Sequence, residues 1–490
     1  MRYFSRPRHV PTSRPAARFR PRLEALEGRA VPATFLATTT IDGGPGSLRQ
    51  AVLDANASPG ADTIEVPAGD YGLTLAGAGE DGGATGDLDI TGDLTIHGAG
   101  ADVTTIGSGL DRTFHIHGGK VTLSHIRFGG GNGTVSQGGG LFVAGGSVTV
   151  SHCWVAGGAV LGSPGADGKG GGIYIAGGAL MVTQSEIEAC QATGGIGGGD
   201  GSGGGIYVAG GSVNITASAM GNNSARGFPS TGPGGSAGNA YGGAIYAAAG
   251  STVTITNSSF GGVLGDGAVS DNRAIGGWAY NFIDPAGDAL GGTICSVGAT
   301  LTVTNSTFES SHAFGGAQFT QGDAMGGGIY ASSGTVALHN VSMTGCVAVG
   351  GEGSFSLALG GAIYVANANL TLVNSTLSGN SAESRSDHGD GRGGGIYLDG
   401  GTTTVTKTTF SGNHAAAYTF GAGQGGGIYI ASGGLTLTND LFSGNTATGG
   451  QGSAGGGIYI AGGFVVIKRS TDFEGNAADL FPDIFGSYSR

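Results

Sequence analysis

Short stretches in which apolar residues alternate with Thr or other polar residues recur along most of the chain. The clearest copy runs from Leu435 to Asn445, and similar copies run from Leu370 to Asn380 and from Val213 to Asn223. Alternation with a period of two indicates short β-strands, and the Gly and Asn residues between them are typical of turns. No segment of about ten residues with helical periodicity separates these strands, so the pattern does not favour helical crossovers.

A second element, Gly-Gly-Gly-Ile-Tyr, precedes these stretches and occurs ten times, whole or degraded. Its Tyr positions are 30 to 49 residues apart. Short strands that recur without helices can stack as successive coils, so the sequence predicts an all-β fold, a single-stranded parallel β-helix. The ten Tyr positions are Phe142, Tyr174, Tyr207, Tyr246, Cys295, Tyr330, Tyr364, Tyr397, Tyr429 and Tyr459.

Equivalent residues of the repeats are expected to stack in columns. The Ile of each repeat, such as Ile173 or Ile206, should point inward, and the following Tyr should lie on the opposite side. The Asn three residues after the large apolar position, as in Asn413 and Asn445, should hydrogen-bond from coil to coil and tolerate a left-handed turn. A second Asn column is predicted at Asn257, Asn305, Asn374 and Asn439.

The two ends of the chain differ from the repeats. Residues 47–56 read as an amphipathic helix with a capping box formed by Ser47 and Gln50, suited to cap the first coil. Residues 479–485 are apolar and suited to cover the last coil. We therefore divide the chain into a basic tail (1–35), an N-terminal cap with irregular first coils (36–137), a ten-coil repeat (138–476) and a C-terminal cap (477–490).

Composition narrows the possible classes of protein. Gly accounts for 108 of 490 residues, yet there is no Gly-X-Y period, which excludes collagen. No apolar run is long enough for a transmembrane helix. The first 29 residues carry a net charge of +6, which leaves −19 on residues 30–490 and argues against nucleic acid as a partner. The four Cys residues are expected to be free, because Cys190 and Cys346 fall four coils apart.

The Gly-Gly-Gly-Ile element together with Phe-x-x-Asn resembles the repeats of bacterial polymorphic outer-membrane proteins, which belong to the right-handed parallel β-helix proteins of the pectin-lyase-like type. The segment from Gly44 to Val66 resembles the N-terminal segment of secreted β-helix proteins with a Cys-Ser-Leu-Arg-Glu-Ala signature, with Gly46 and Gln50 in place of Cys and Glu. Residues 20–33 resemble a basic export leader. The resemblance implies a right-handed coil and an exported protein at the cell surface or outside the cell.

Candidate catalytic residues are sparse. Lyases of this fold need Arg or Lys beside acidic residues, and glycosidases need two carboxylates about 5–10 Å apart. Between Gly129 and Ser384 the only Lys or Arg residues are Lys169, Arg226 and Arg273. The densest polar cluster contains Asp387, His388 and Asp390, which would bind a cation or act as acid and base. The alternative is a solvated loop with internally balanced charge. No metal site or cofactor is predicted.

Aromatic residues in the long loops are the other candidates. Trp278, Tyr280 and Phe282 lie in the longest insertion, and similar loops carry Phe228, Phe314, Phe319, Phe355, Tyr418 and Phe420. Stacked loops would align them as a strip that binds glycans or surface proteins, or that anchors the loops to the rod. The Tyr column is expected to stabilise the rod rather than bind a ligand.

From these patterns we expect an exported, non-catalytic structural or adhesive protein. The alternative is a polysaccharide-acting enzyme, either a lyase or a glycosidase, or a carbohydrate-binding module. The two classes differ in one structural feature: an enzyme needs two carboxylates, or a carboxylate with Arg or Lys, converging on neighbouring coils in a groove.

Overall fold

The chain forms a parallel β-solenoid of about 13 rungs, where a rung is one full coil of the chain. The computed structural model describes residue 3 and residues 31–490, apart from residues 78, 264–268, 282–283, 318–320, 354, 451 and 469. Equivalent strands of successive rungs pair in parallel and build four long sheets. The parallel β-helix predicted from the repeat is confirmed.

Sheet 1 has 25 described strands in two columns, because each rung crosses it twice. The first column begins at the Ile of the repeat, and the second holds the alternating Thr-rich strands. Two long strands, Ile396–Thr406 and Ile428–Thr438, span both columns. The other strands of the first column are Leu88–Ile90, Phe114–Ile116, Leu141–Val143, Ile173–Ile175, Ile206–Val208, Ile245–Ala247, Ile294–Val297, Ile329–Ser332, Ile363–Ala366, Ile458–Ile460 and Ile484–Phe485; those of the second are Thr34–Leu36, Asp62–Val66, Leu94–Gly98, Lys120–Ser124, Ser147–Ser151, Ala179–Thr183, Ser212–Thr216, Thr252–Thr256, Thr300–Thr304, Thr335–His339, Asn369–Val373 and Phe464–Ile467.

Sheet 2 follows sheet 1 around each rung and has 13 described strands, three before the ten repeats and one in each repeat. This number matches ten repeats preceded by the early irregular coils. The strands are Gly69–Leu73, Thr104–Ser108, Arg127–Gly129, Trp154–Ala156, Glu186–Glu188, Ala219–Gly221, Ser259–Phe260, Thr307–Glu309, Ser342–Thr344, Thr376–Ser378, Thr409–Ser411, Leu441–Ser443 and Asp472–Glu474.

Sheets 3 and 4 are built from the Gly-rich stretches between the repeat elements, where loops were expected. Their strands have only two to four residues, too few to show a period of two. Sheet 3 comprises Ala159–Leu161, Gln191–Thr193, Ser224–Arg226, Arg273–Ile275, His312–Phe314, Val347–Gly350, Ser381–Ser384, His414–Ala416 and Thr446–Thr448; sheet 4 comprises Gly168–Lys169, Gly201–Ser202, Ala240–Tyr241, Ala289–Leu290, Ala324–Met325, Ala358–Leu359, Gly391–Arg392 and Gly423–Gln424.

Sheets 3 and 4 pack closely through small side chains. Their shared contact is a cluster of fully buried Ala residues, which we call the alanine seam. Space is so limited that a Cβ at Gly201 would lie 2.3 Å from the carbonyl oxygen of Arg226. The abundance of Gly and Ala in these stretches therefore follows from close backbone packing. The seam comprises Ala225, Ala240, Ala274, Ala289, Ala313, Ala324 and Ala348.

The main hydrophobic core lies between sheets 1 and 2 and confirms the predicted inward columns. Ile173, Ile206 and the equivalent Ile residues are fully buried, as are Phe260, Phe308, Phe410 and Phe442. The Tyr positions pair in register from Phe142 to Tyr459, with Cys295 between Tyr246 and Tyr330. The four Cys residues are buried and free, as predicted.

The two Asn columns exist, with one correction. Asn413 and its equivalents are buried and linked from rung to rung by their side chains. The left-handed backbone expected there occurs instead in the second column, where Asn257, Asn305 and Asn374 have φ of 50–51°. Those residues form the exposed turn between sheets 1 and 2. The left-handed conformation therefore belongs to this turn, whereas the buried amides of the first column form hydrogen bonds inside the core.

The helix predicted near the N-terminus is α1, Leu48–Ala57. Leu48, Val52 and Ala55 are buried, as expected, and Ser47 Oγ accepts the N–H of Gln50. The Gln50 side chain instead donates to Asp54, so only half of the predicted capping box forms. Within the described part of the chain no helix is long enough to cross a bilayer. The apolar end segment adds a short strand, Ile484–Phe485, beside Ile458–Ile460.

Candidate functional site

The Tyr column forms an aromatic stack against sheet 4. Neighbouring rings from Tyr330 to Tyr459 lie 5.0–5.2 Å apart and within 9° of parallel. Tyr364, Tyr397 and Tyr429 are buried and form one cluster with Leu359 of sheet 4. Burial raises the pKa of Tyr397 to about 12, so these phenols stay neutral at ordinary pH. The stack therefore stabilises the rod rather than presenting a ligand surface.

An aromatic cleft of about 600 Å³ lies outside sheet 3, beside the loops that join it to sheet 4. Its floor is one outward column of sheet 3, in which Arg226, Ile275 and Phe314 pair in register. Phe228 and Trp278 form part of its wall. The structure thus brings together three aromatic residues, Phe228, Trp278 and Phe314, that are separated by steps of 50 and 36 residues in the sequence.

Two cationic side chains lie on this cleft in an otherwise acidic molecule. Arg226 and Arg385 are both exposed and both line it, and Glu352 is the one carboxylate among its described lining residues. Neither Arg has an ion-pair partner within 4 Å among the residues that the structure describes. Both guanidinium groups are therefore free to meet an anionic ligand.

The loop that carries Trp278 is held by the loop of the preceding rung. The Ser230 N–H donates to the Trp278 carbonyl over 3.1 Å, and Ser230 Oγ accepts the Tyr280 N–H over 2.7 Å. Trp278 and Tyr280 nevertheless remain 52% and 58% exposed. Phe282 and Phe319, also candidates from the sequence, lie outside the described residues. Two hydrogen bonds thus orient an indole ring that solvent still reaches.

Asp387, His388 and Asp390 lie in three different environments. Asp390 Oδ2 forms an ion pair with Arg392 Nη2 over 2.7 Å, and Asp390 Oδ1 accepts the backbone N–H of Ala422. The His388 ring contacts the exposed rings of Phe355 and Phe420 edge-on, at 5.4 and 5.0 Å. The Asp387 carbonyl accepts the N–H of Phe420. The predicted polar cluster is therefore divided between an ion pair and a row of exposed aromatic residues.

Asp residues beside sheet 4 form a second regular feature, the aspartate column, in which each side chain accepts a backbone N–H from the next rung. Asp288 accepts the N–H of Asp323, and Asp323 accepts that of Leu357, both over 2.8 Å. Burial, helped by the charge of Asp288, raises the pKa of Asp323 to about 6. These contacts engage one carboxylate oxygen of each Asp in holding the next rung. The column comprises Asp167, Asp200, Asn239, Asp288 and Asp323.

A group of acidic and His side chains on the early rungs, which we call the acid–histidine cluster, was not predicted from the sequence. It comprises Asp81, Asp89, His115 and His117. Asp89 and His115 are paired residues on neighbouring strands. His117 Nε2 lies 2.8 Å, and His115 Nδ1 3.2 Å, from Asp89 Oδ1. Burial raises the pKa of the Asp89 carboxyl, but hydrogen bonds from the two His residues outweigh it, so the pKa lies below its usual value.

Buried charges surround this cluster. Arg112 Nε lies 3.3 Å from Asp87 Oδ2 and 3.8 Å from Asp111 Oδ1. Burial, together with the charges of Asp89 and Asp111, raises the pKa of Asp87 to about 7. Asp87, Asp89 and Asp111 are at most 4% exposed. A polymer substrate therefore cannot reach these carboxylates directly.

A sequence signal for this cluster did exist. Asp87 and Asp89 are separated by one residue, as are His115 and His117, and alternate residues of a strand point to the same side. The Tyr column also starts here, because His115 pairs with Phe142. These early rungs lack the Gly-Gly-Gly element, so the register that joins the two pairs was not apparent.

A shallower groove of about 1110 Å³ follows the turn between sheets 1 and 2. It includes Trp154, but that ring lies under the Arg127 guanidinium at 4.0 Å, and its Nε1 donates to Glu188. Most of its other described lining residues are Ser, Asn or Ala. With its aromatic residue already engaged, this groove is a weaker candidate than the aromatic cleft.

Comparison with known proteins does not assign a family: no family model and no curated protein matches the chain. Similar solved structures include a mannuronic acid specific polysaccharide family 6 lyase from human gut microbiota (10% identity, 93% of this chain, 92% of that chain, TM-score 0.36). Others are the catalytic unit of a GH87 α-1,3-glucanase from Streptomyces thermodiastaticus strain HF3-3 (13%, 93% and 70%, 0.33) and the Agl-KA catalytic domain (14%, 95% and 69%, 0.34). At these TM-scores the likeness carries no argument about the activity of this chain.

Proposed function

We propose that this chain is an exported, non-catalytic adhesive rod that binds acidic glycans at the aromatic cleft. The observation that carries the proposal is the exposed Trp278 ring beside two Arg side chains that have no ion-pair partner among the described residues. Aromatic rings offer an apolar face to the C–H groups of a sugar, and Arg binds carboxylate or sulfate groups through bidentate hydrogen bonds. A chain that is otherwise acidic would repel such a ligand elsewhere.

The cleft favours binding over glycoside hydrolysis. Glycosidases require two carboxylates on either side of the bond, whereas Glu352 is the one described carboxylate on the cleft. A lyase would need one carboxylate with Arg or Lys, and Glu352 with Arg226 and Arg385 supplies that set, so an assay for released products separates a lyase from a binding protein. A second place for the enzyme alternative is the early rungs, where carboxylates, His and Arg also converge. There, however, the carboxylates of Asp87 and Asp89 are buried. Export and surface location rest on the basic leader and the repeat that resembles surface proteins.

A glycan array with the full-length chain tests this proposal. We expect uronate-containing or sulfated glycans to bind and neutral glycans not to bind. Trp278→Ala should weaken binding by about 10-fold or more, as for a central aromatic contact. Arg226→Gln with Arg385→Gln should abolish the preference for anionic glycans and its dependence on salt.

Tyr418→Ala is the matched control, because Tyr418 is 62% exposed and lies outside the cleft. It should leave glycan binding unchanged. The proposal fails if no glycan binds, or if Tyr418→Ala and Trp278→Ala weaken binding equally. Release of unsaturated or reducing products from a bound glycan would instead favour the enzyme alternative.

A further inference from the structure

We propose that Asp81, Asp89, His115 and His117 form a Zn²⁺ site on the early rungs of the solenoid. The four ligand atoms converge on one point, since all of them lie within 4.8 Å of one another. This site is separate from the aromatic cleft, which occupies the loop side of later rungs.

The spacing of the ligand atoms matches a tetrahedral ion. With bonds of about 2.0–2.1 Å, neighbouring ligands of tetrahedral Zn²⁺ are about 3.3 Å apart. Three of the six separations are 2.8 Å from Asp89 Oδ1 to His117 Nε2, 3.2 Å from Asp89 Oδ1 to His115 Nδ1, and 3.7 Å from His115 Nδ1 to Asp81 Oδ1, and the other three are at most 4.8 Å. Small side-chain movements would equalise them around an ion.

The kinds of ligand atom select the metal. Two imidazole nitrogens with two carboxylate oxygens suit Zn²⁺ and related transition metals, whereas Ca²⁺ and Mg²⁺ prefer oxygen ligands throughout. Two carboxylates also balance the charge of a divalent ion. An ion would thereby neutralise Asp89, whose side chain is only 1% exposed.

Backbone contacts hold the ligands in position. The Gly83 N–H donates to Asp89 Oδ2 over 2.8 Å, which leaves Oδ1 facing the His rings. Strand pairing fixes His115 opposite Asp89. Contacts of this kind, made by the ligand residues to groups other than the metal, orient the ligand atoms and raise metal affinity.

The loop that carries Asp81 is also constrained. The Glu80 carboxylate accepts the N–H groups of Gly82, Ala84 and Thr85. The Arg49 guanidinium of α1 donates to the carbonyl groups of Gly83, Gly86 and Asp87 over 2.8–3.0 Å. Asp81 itself is the exposed ligand, with a side chain 72% exposed, so an ion can enter from solvent.

Titration of the full-length, untagged chain with Zn²⁺ against a chromogenic chelator tests this site. After EDTA has removed any bound metal, we expect each chain to bind one Zn²⁺ ion. Co²⁺ should replace it and show the intense visible absorption of a tetrahedral ion. X-ray absorption of the Zn²⁺ form should show nitrogen and oxygen ligands at about 2.0–2.1 Å. It should also show the multiple scattering that His rings produce.

Asp81→Asn and His117→Gln change the two more exposed ligands, which keeps misfolding from obscuring the result. Each should weaken Zn²⁺ binding by at least about 10-fold while the far-ultraviolet circular dichroism stays unchanged. Asp387→Asn with His388→Gln is the matched control, an exposed Asp and His in one loop, and should not alter binding. Absence of stoichiometric binding, or equal weakening by the control, would overturn the proposal.

Discussion

At the scale of single residues, the buried Asn side chains are the most regular polar feature of the core. Asn413 Oδ1 accepts both the backbone and side-chain N–H groups of Asn380, and its Nδ2 donates to Asn445 Oδ1 and to the Leu377 carbonyl. Buried amides that satisfy one another in this way contribute to stability chiefly because removing one leaves its partners unpaired.

Asn413→Ala should therefore lower the free energy of unfolding by about 2–4 kcal/mol, since the buried Asn380 N–H and Leu377 carbonyl of the preceding rung lose the Asn413 side chain. Asn445 Oδ1 keeps the hydrogen bond from the Asn413 backbone N–H. Urea unfolding followed by circular dichroism measures this change. Asn369→Ala, at an exposed position of sheet 1, is the control and should change the value by no more than about 0.5 kcal/mol. Similar losses for both variants would contradict the role assigned to the buried column.

Most of this column was predictable from the sequence, because Asn follows the large apolar residue by three positions. Asn272 was missed, although it accepts the N–H of Asn223 in the same way. An insertion after Phe260, which contains the antiparallel strands Gly262–Val263 and Val269–Ser270, separates Asn272 from its usual position. Local spacing identifies a column only where no residues are inserted.

At the scale of elements, sheets 3 and 4 are the part of the fold that the sequence pattern did not predict. Their strands are too short for a periodic signal, and the alanine seam between them involves residues from different stretches. The floor of the aromatic cleft likewise depends on register between strands of three rungs. The aromatic residues themselves could be identified from the loops, but their position around Arg226 required the sheet.

The aspartate column along sheet 4 makes stability depend on pH. The pKa of Asp323 rises from 3.8 to about 6 in the folded chain because of burial and the nearby Asp288 charge. The folded state therefore binds a proton that the unfolded state has released, so this contribution to stability is present below about pH 4 and is lost as the pH rises through about 6.

Asp323→Asn should be more stable than the parent at pH 8 and similar to it at pH 4. The amide keeps an oxygen for the Leu357 N–H, as Asn239 does for the Asp288 N–H. Urea midpoints at both pH values measure the difference. Asp167→Asn, at the more exposed start of the column, should show a smaller change, and a loss of stability for Asp323→Asn at pH 8 would refute this account.

At the scale of the whole molecule, the fold class followed from the repeat itself, because short strands that recur with one period and without helices can stack as successive coils. The acid–histidine cluster did not follow, because it is formed where the rungs are irregular. Each rung contacts chiefly its two neighbours, so stability is expected to be a sum of rung and neighbour contributions.

Removing one whole period should consequently leave a folded, shorter rod. Deletion of residues 394–425 joins Gly393 to Gly426 and brings Tyr364 next to Tyr429. We expect an unchanged circular dichroism spectrum per residue and a rod about 4.8 Å shorter by small-angle scattering. Deletion of residues 394–409 alone removes half a period and should prevent folding, because it misaligns every later column. If the two deletions behave alike, the rungs are not interchangeable units.

Parallel pairing between rungs also determines how the molecule responds to mechanical force. The backbone hydrogen bonds that join neighbouring rungs run along the long axis, so tension between the two ends loads them one rung after another. Each rung that detaches would release about 32 residues, or roughly 110 Å of extended chain. An adhesive rod of this kind would lengthen in steps under load and keep its bound end attached.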